Sequence, residues 1–254
     1  MGHPEPSVMD IASLDEVPKD GDYAPRTAFI DGVETWPQED GGILRFNPVG
    51  HIYTYAGPGE EIFRQVPSIT TILRPMNDEH YGLGGGLTPS QALNHAAERG
   101  QAVHESCWFH DQDDLDEDSL DEEIKPYVAA YRKFREESNI EIVEIETPRA
   151  GFHGKIAFAG RPDRIVRVKV RRGWSLPSPL DIKTTVDMAP AVGVQLAGYA
   201  ELLGPALGGR NLLGLQLKAD GTYRLHEYQA DHYRYRNHFH ALLAHWVYMQ
   251  EFRK

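Results

Sequence analysis

From Ile43 onward apolar and polar positions begin to alternate, and "ILRFNPVGHIYTYAG" predicts two short strands around an "NPVG" turn. In "VPSITTILRPM" the spacing becomes helical, with Ser68 as N-cap and Pro75 ending a short helix. "YGLGGGLTPSQALNHAAERGQAVHESCWFH" is a glycine-rich loop feeding a longer helix, in which Thr88 suits the N-cap and Pro89 the first helical position. Along that helix Leu93, Ala96, Ala97, Gly100, Val103 and Cys107 form one small-residue stripe, the mark of a closely packed face, with His104 at its border. A further helix follows, with Ser119 and Glu122 at capping-box spacing and Ile124, Tyr127, Val128, Tyr131 and Phe134 as its buried face. Pro126 leaves its start open by about a turn.

Three β segments come next, "IEIVEIETP", "IAFAGRPDRIVRVKV" and "PLDIKTT". The turn-forming "RRGWSLPSP" predicts an antiparallel hairpin between the last two. A helix over "APAVGVQLAGYAELLG", strands "NLLGLQLK" and "TYRLHEYQ", and a closing helix complete the pattern. The fold class is therefore α/β, a mixed central β-sheet flanked by helices. Residues 1–40, rich in Pro, Asp and Glu without periodicity, predict a loose acidic arm, and 41–254 a single domain.

Composition adds three constraints. Hydrophobic content of 41% suits a packed globular chain, and no apolar run approaches a membrane span or a signal peptide, so the expectation is a cytoplasmic protein without membrane contact. The single cysteine, Cys107, excludes an internal disulfide and a cysteine-held iron–sulfur cluster, and its place in the helix predicts a packed core thiol. Net charge is −12, which argues against coating nucleic acid by charge alone, yet the charge is unevenly placed. Residues 111–123 hold nine acids and no base, reading as a solvated loop, whereas 155–172 hold seven bases and one acid, Asp163.

That lone acid matters because Asp181 begins the next strand and Lys183 shares its face. Two carboxylates brought together across a hairpin repel unless one takes up a proton or a cation lies between them. Oxygen ligands favour Mg²⁺ or Mn²⁺, and a metal beside a lysine suits hydrolysis of a phosphate ester. A buried Asp–Lys ion pair without metal is the alternative, and these three residues leave both open.

"GRPD", "DIK" and "QLAGY", in that order after a helical histidine, resemble the PD-(D/E)XK nuclease superfamily and its RecB-like exonuclease branch, with "VPSITTIL" similar to the lead-in of phage members. The resemblance runs from about Val66 to Tyr199. It implies a restriction-endonuclease-like core and a metal-dependent DNA exonuclease of phage or bacterial recombination and repair. An endonuclease on the same core and an inactive DNA-binding or interaction module are the alternatives. It further implies catalytic roles for Lys183, Asp181, Asp163, Gln195 and Tyr199. One or two Mg²⁺ or Mn²⁺ would be held by His104, Asp163, Asp181 and the carbonyl of Ile182. Glu146 is an additional acidic position, although strand alternation puts Glu144 on the same face. DNA is the expected partner, met by Arg161 and Arg164, with a recombination or replication protein and self-association left open. The four cysteines of an iron–sulfur cluster, present in several relatives, are missing here. The histidines of the last helix, His232, His238, His240 and His245, lack ligand spacing on a common face and read as surface.

Overall fold

Three β-sheets and six α-helices make up the described residues, 29–30, 32–82, 91–204, 210–228 and 231–252, of a computed structural model. Strands β1 (Phe29–Ile30), β2 (Val33–Pro37), β3 (Ile43–Asn47), β4 (Ile52–Ala56) and β5 (Arg64–Val66) form an antiparallel meander in chain order. Alternation makes it one-sided: Trp36, Leu44, Phe46, Tyr53, Tyr55 and Val66 are buried against Ala159. This corrects the loose arm at its C-terminal end, because β1 and β2 lie within 1–40 and are joined through Gly32 at φ 77°. "VETW" carries no apolar alternation to signal β2, because the residue that shares the buried face with Trp36 is Glu34. Residues 1–28 lie outside the described residues.

Helix α1 (Ile69–Ile72) is capped as expected, Ser68 Oγ accepting from the Thr71 N–H at 3.0 Å. Pro75 does not end the helical stretch. It sits in the first turn of α2 (Arg74–His80), where its missing N–H costs nothing. Helix α3 spans Gln91–Asp111 and α4 spans Lys125–Glu137. Thr88, Pro89 and the glycine-rich loop lie outside the described residues. The Ser119–Glu122 capping box does not form: Ser119 closes a short 3₁₀ turn by donating to the Asp116 carbonyl, and α4 starts at Lys125 with Pro126 in its first turn.

The segment expected as one long β run divides at Pro162. Strand β8 (Ile156–Gly160) pairs with β7 (Arg149–His153) and is bridged at Ala159 to Ser68, whereas β9 (Arg164–Val170) enters the central sheet with β6 (Ile140–Ile145), β10 (Gly173–Trp174) and β11 (Ser178–Lys183). As predicted, β9 and β11 are antiparallel, with Leu180 opposite Arg164. After β11 the chain crosses through α5 (Ala191–Glu201) to β12 (Leu213–Leu217), parallel to β11, and β13 (Tyr223–Glu227) closes the edge before α6 (His232–Glu251). Val103, Cys107, Tyr131 and Phe134 of α3 and α4 pack with Leu180 and Ile182 on one face. Leu196, Ala197 and Leu212 pack on the other, and α5 and α6 close over α1 and Phe158. Among the described residues no helix is long and apolar enough to cross a membrane.

Candidate active site

Strand β11 carries the site on one face and the core on the other. Leu180 and Ile182 enter the α3–α4 core, so period-two alternation turns Asp181 and Lys183 together toward α5. Asp181 is almost wholly buried, and its carboxylate forms an ion pair with the Lys183 ammonium. Gln195 donates from Nε2 to Asp181 Oδ1 at 3.2 Å and to the Tyr199 hydroxyl at 3.0 Å. Gln195 and Tyr199 lie four apart on α5, hence on one face. The close fit behind them depends on glycine: a Cβ on Gly160 would lie 3.0 Å from the Tyr199 ring, and one on Gly198 2.9 Å from the Phe239 ring.

Asp163 comes from the crossing between β8 and β9. Its Oδ2 accepts the Ile182 backbone N–H at 2.6 Å, which fastens it to β11, and its Oδ1 lies 3.4 Å from His104 Nδ1 on α3. His104, Asp163, Ile182, Lys183 and Tyr199 line one cleft of about 770 Å³, with Asp181 and Gln195 behind Lys183 and Tyr199.

Glu146 also lines the cleft, held at φ 46° with its N–H donated to the Asp163 carbonyl, and its side chain pairs with Arg161 at 3.0 Å. A register shift in β6 between Ile142 and Glu144 breaks simple alternation, and Glu144 pairs with Arg149 instead. Arg161 lines the cleft. Arg164 does not: it is 1% exposed, bonded to Asp111 Oδ2 at 2.7 Å and to the Asp163 carbonyl at 2.6 Å, so it is a structural cation out of reach of substrate. The same contact corrects the reading of 111–123 as wholly solvated, since the Asp111 side chain is buried beneath Arg164, Arg135 and Tyr131. Arg167, Lys169, Arg171 and Arg172 run away from the cleft along β9 to its tip.

Two parts of the wall escape sequence reasoning. His51 and Tyr53 of the first sheet face the cleft, His51 at φ 54° just after the "NPVG" turn. The small-residue stripe of α3 is the second. Only Val103 and Cys107 of it are buried, while Ala96, Ala97 and Gly100 border the cleft. Small residues there leave room instead of closing a contact. Cys107 is the core thiol expected, and burial pushes its pKa up.

The electrostatics of the cleft are those of crowded acids. Burial, with Asp163 beside it and Lys183 opposing, pushes the Asp181 carboxyl up to about 6. Burial works the same way on Asp163, but His104, Lys183 and the Ile182 N–H outweigh it and hold that carboxyl well below its ordinary value. Burial lowers His104 and Lys183, yet the neighbouring carboxylates win and raise both. Burial also raises the Tyr199 hydroxyl far above its usual range. Asp181 Oδ2 faces the Lys183 ammonium, while Oδ1 accepts from Gln195. Two carboxylates and an imidazole are a donor set for a hard or borderline divalent cation.

No family model matches the chain, and no curated protein matches it. Among solved structures, the crystal structure of SSO0001 is similar over 67% of this chain and 84% of its own length, at 15% identity and a TM-score of 0.28, a likeness that carries no argument.

Proposed function

We propose that the protein is a metal-dependent deoxyribonuclease, an exonuclease of DNA recombination or repair built on a PD-(D/E)XK core. The observation that carries this reading is the meeting of His104, Asp163 and the Asp181–Lys183 pair at one cleft, with Gln195 and Tyr199 bracing Asp181. The central sheet supports the restriction-endonuclease-like reading, with β11 antiparallel to β9 and parallel to β12 across α5.

His104, Asp163, Asp181 and the Ile182 carbonyl are the groups that would hold Mg²⁺ or Mn²⁺. When bound, the ion supplies a Lewis acid that lowers the pKa of water and neutralises charge on the phosphoryl oxygens. The donor chemistry fits, and a cation there would offset the burial and the neighbouring Asp163 carboxylate that push the Asp181 carboxyl up to about 6. Lys183 must first leave Asp181 Oδ2. Held as an ammonium by two carboxylates, Lys183 steadies negative charge on the scissile phosphate instead of removing a proton from water. Gln195 fixes the Asp181 carboxylate, and Tyr199 fixes Gln195. Arg161, balanced by Glu146 and Glu34, meets the phosphate backbone at the rim.

The test is incubation of end-labelled linear DNA with the protein and Mg²⁺ or Mn²⁺, against EDTA and against Asp181→Ala and Lys183→Ala. Release of label by the wild type alone supports the proposal. Cutting of covalently closed circles would make it an endonuclease, and metal-independent binding without cleavage a non-catalytic module.

A further inference from the structure

Where β7, the end of α5 and the middle of α6 meet, three side chains outside the cleft converge. His153, Glu201 and His240 each offer a ligand atom, and these atoms lie within 4.8 Å of one another. We propose that they form a second metal site, for a divalent ion of the Zn²⁺ class, which pins α6 and the end of α5 to β7.

The ligand types choose the metal. Two imidazoles and one carboxylate suit Zn²⁺, Co²⁺ or Ni²⁺ better than Mg²⁺ or Ca²⁺, which prefer an all-oxygen shell. Three protein ligands leave a fourth position for water. The surroundings also suit it. The Glu201 side chain is only 7% exposed, and its Oε1 receives both His240 Nε2 at 2.7 Å and Arg236 Nε at 2.7 Å. Oε2 carries neither of these bonds. Arg236 therefore holds the carboxylate from behind, as outer partners of ligating carboxylates do. The rings of His153 and His240 are stacked at 3.8 Å with an interplanar angle of 27°, so the two imidazoles are already neighbours, and taking up one ion would turn the exposed His153 ring out of the stack. His240 is thus no surface residue of a polar helix face, because its partners come from two other elements.

The competing arrangement is a metal-free one, in which Arg236, Glu201 and His240 are hydrogen-bonded and His153 only stacks. The two differ in what His153 does, and His153, exposed at the end of β7, is replaceable without opening the core. The experiment is titration of the full chain carrying Asp181→Asn, which disables the cleft, with Co²⁺ followed by visible absorption. One Co²⁺ per chain with the intense bands of low coordination, displaced by Zn²⁺, is expected. Adding His153→Ala should weaken uptake by about 100-fold or more, the upper range for loss of even an outer partner. Zn²⁺ at about 100 times its Kd should raise Tm by about 5–10 °C, a rise that His153→Ala abolishes. Should His153→Ala itself lower the metal-free Tm, His153→Gln carries the same test with a side chain of closer size. Absence of Co²⁺ uptake, or uptake indifferent to His153, overturns the site. DNA cleavage enters nowhere, so this result and that of the nuclease test stand apart.

Discussion

Asp163 and Arg164 are neighbours in the chain and opposites in use. Arg164 turns into the core, where Asp111 is ringed by Arg164, Arg135 at 3.2 Å and the Tyr131 hydroxyl at 2.5 Å. Burial alone would raise Asp111, but His110, Arg164, Tyr131 and Arg135 together hold it below the ordinary carboxylate value. Asp163 turns the other way, to a cleft where burial, with Asp163 itself alongside, drives the Asp181 carboxyl up to about 6. A buried acid surrounded by donors is a finished structure. A buried acid beside another acid is still short of positive charge, and Lys183 stands between Asp181 and the cleft.

The sharpest way to test this contrast is to remove charge from each side. Asp181→Asn should lower cleavage of linear DNA by about 10²–10⁴-fold without lowering the melting temperature, and Lys183→Ala should lower cleavage alike. The reverse is expected in the core. Asp111→Asn strands the buried Arg164 and should cost about 3–5 kcal/mol in urea unfolding, whereas Asp181→Asn, which keeps an oxygen for Gln195 and removes a carboxyl that burial disfavours as an anion, should cost less than about 1 kcal/mol. Equal losses from the two would erase the distinction.

The pH dependence sharpens it further. Because the Asp181 pKa rises from 3.8 to about 6 on folding, the native state binds the extra proton between those values. The stability this group contributes is therefore present below 3.8 and lost as pH rises through about 6, at most about 3 kcal/mol at 1.36 kcal/mol per pH unit. Asp111 has the opposite sign: its contribution is complete above 3.8 and lost as pH falls below it. Thermal melts with EDTA should show the first slope, Asp181→Asn should remove it, and Mn²⁺ should stabilise at pH 8 but not at pH 5. A smaller effect separates the basic residues. Arg161→Ala should weaken DNA binding and lower the salt slope by about one ion, while Lys169→Ala, outside the cleft, should change neither when read by fluorescence anisotropy.

Much of the candidate site is legible from local periods alone. A spacing of two puts Asp181 and Lys183 on one face, and a spacing of four does the same for Gln195 and Tyr199. The antiparallel partnership of β9 and β11 follows from the turn between them. What the periods do not carry is which long-range partner a charge finds. Arg164 is one of seven bases and Asp111 one of nine acids, and nothing local marks them as a pair. His153, Glu201 and His240 are hidden for the same reason. The small residues of α3 show a different ambiguity, since a stripe that allows close packing also makes room for a cavity.

One strand, β11, anchors the core with its even-numbered neighbours Leu180 and Ile182 and arms the cleft with Asp181 and Lys183. Inserting a single residue just upstream would exchange the two sets, thrusting charge into oil and oil into water. Chemistry and solubility thus share one phase, and neither can drift without the other.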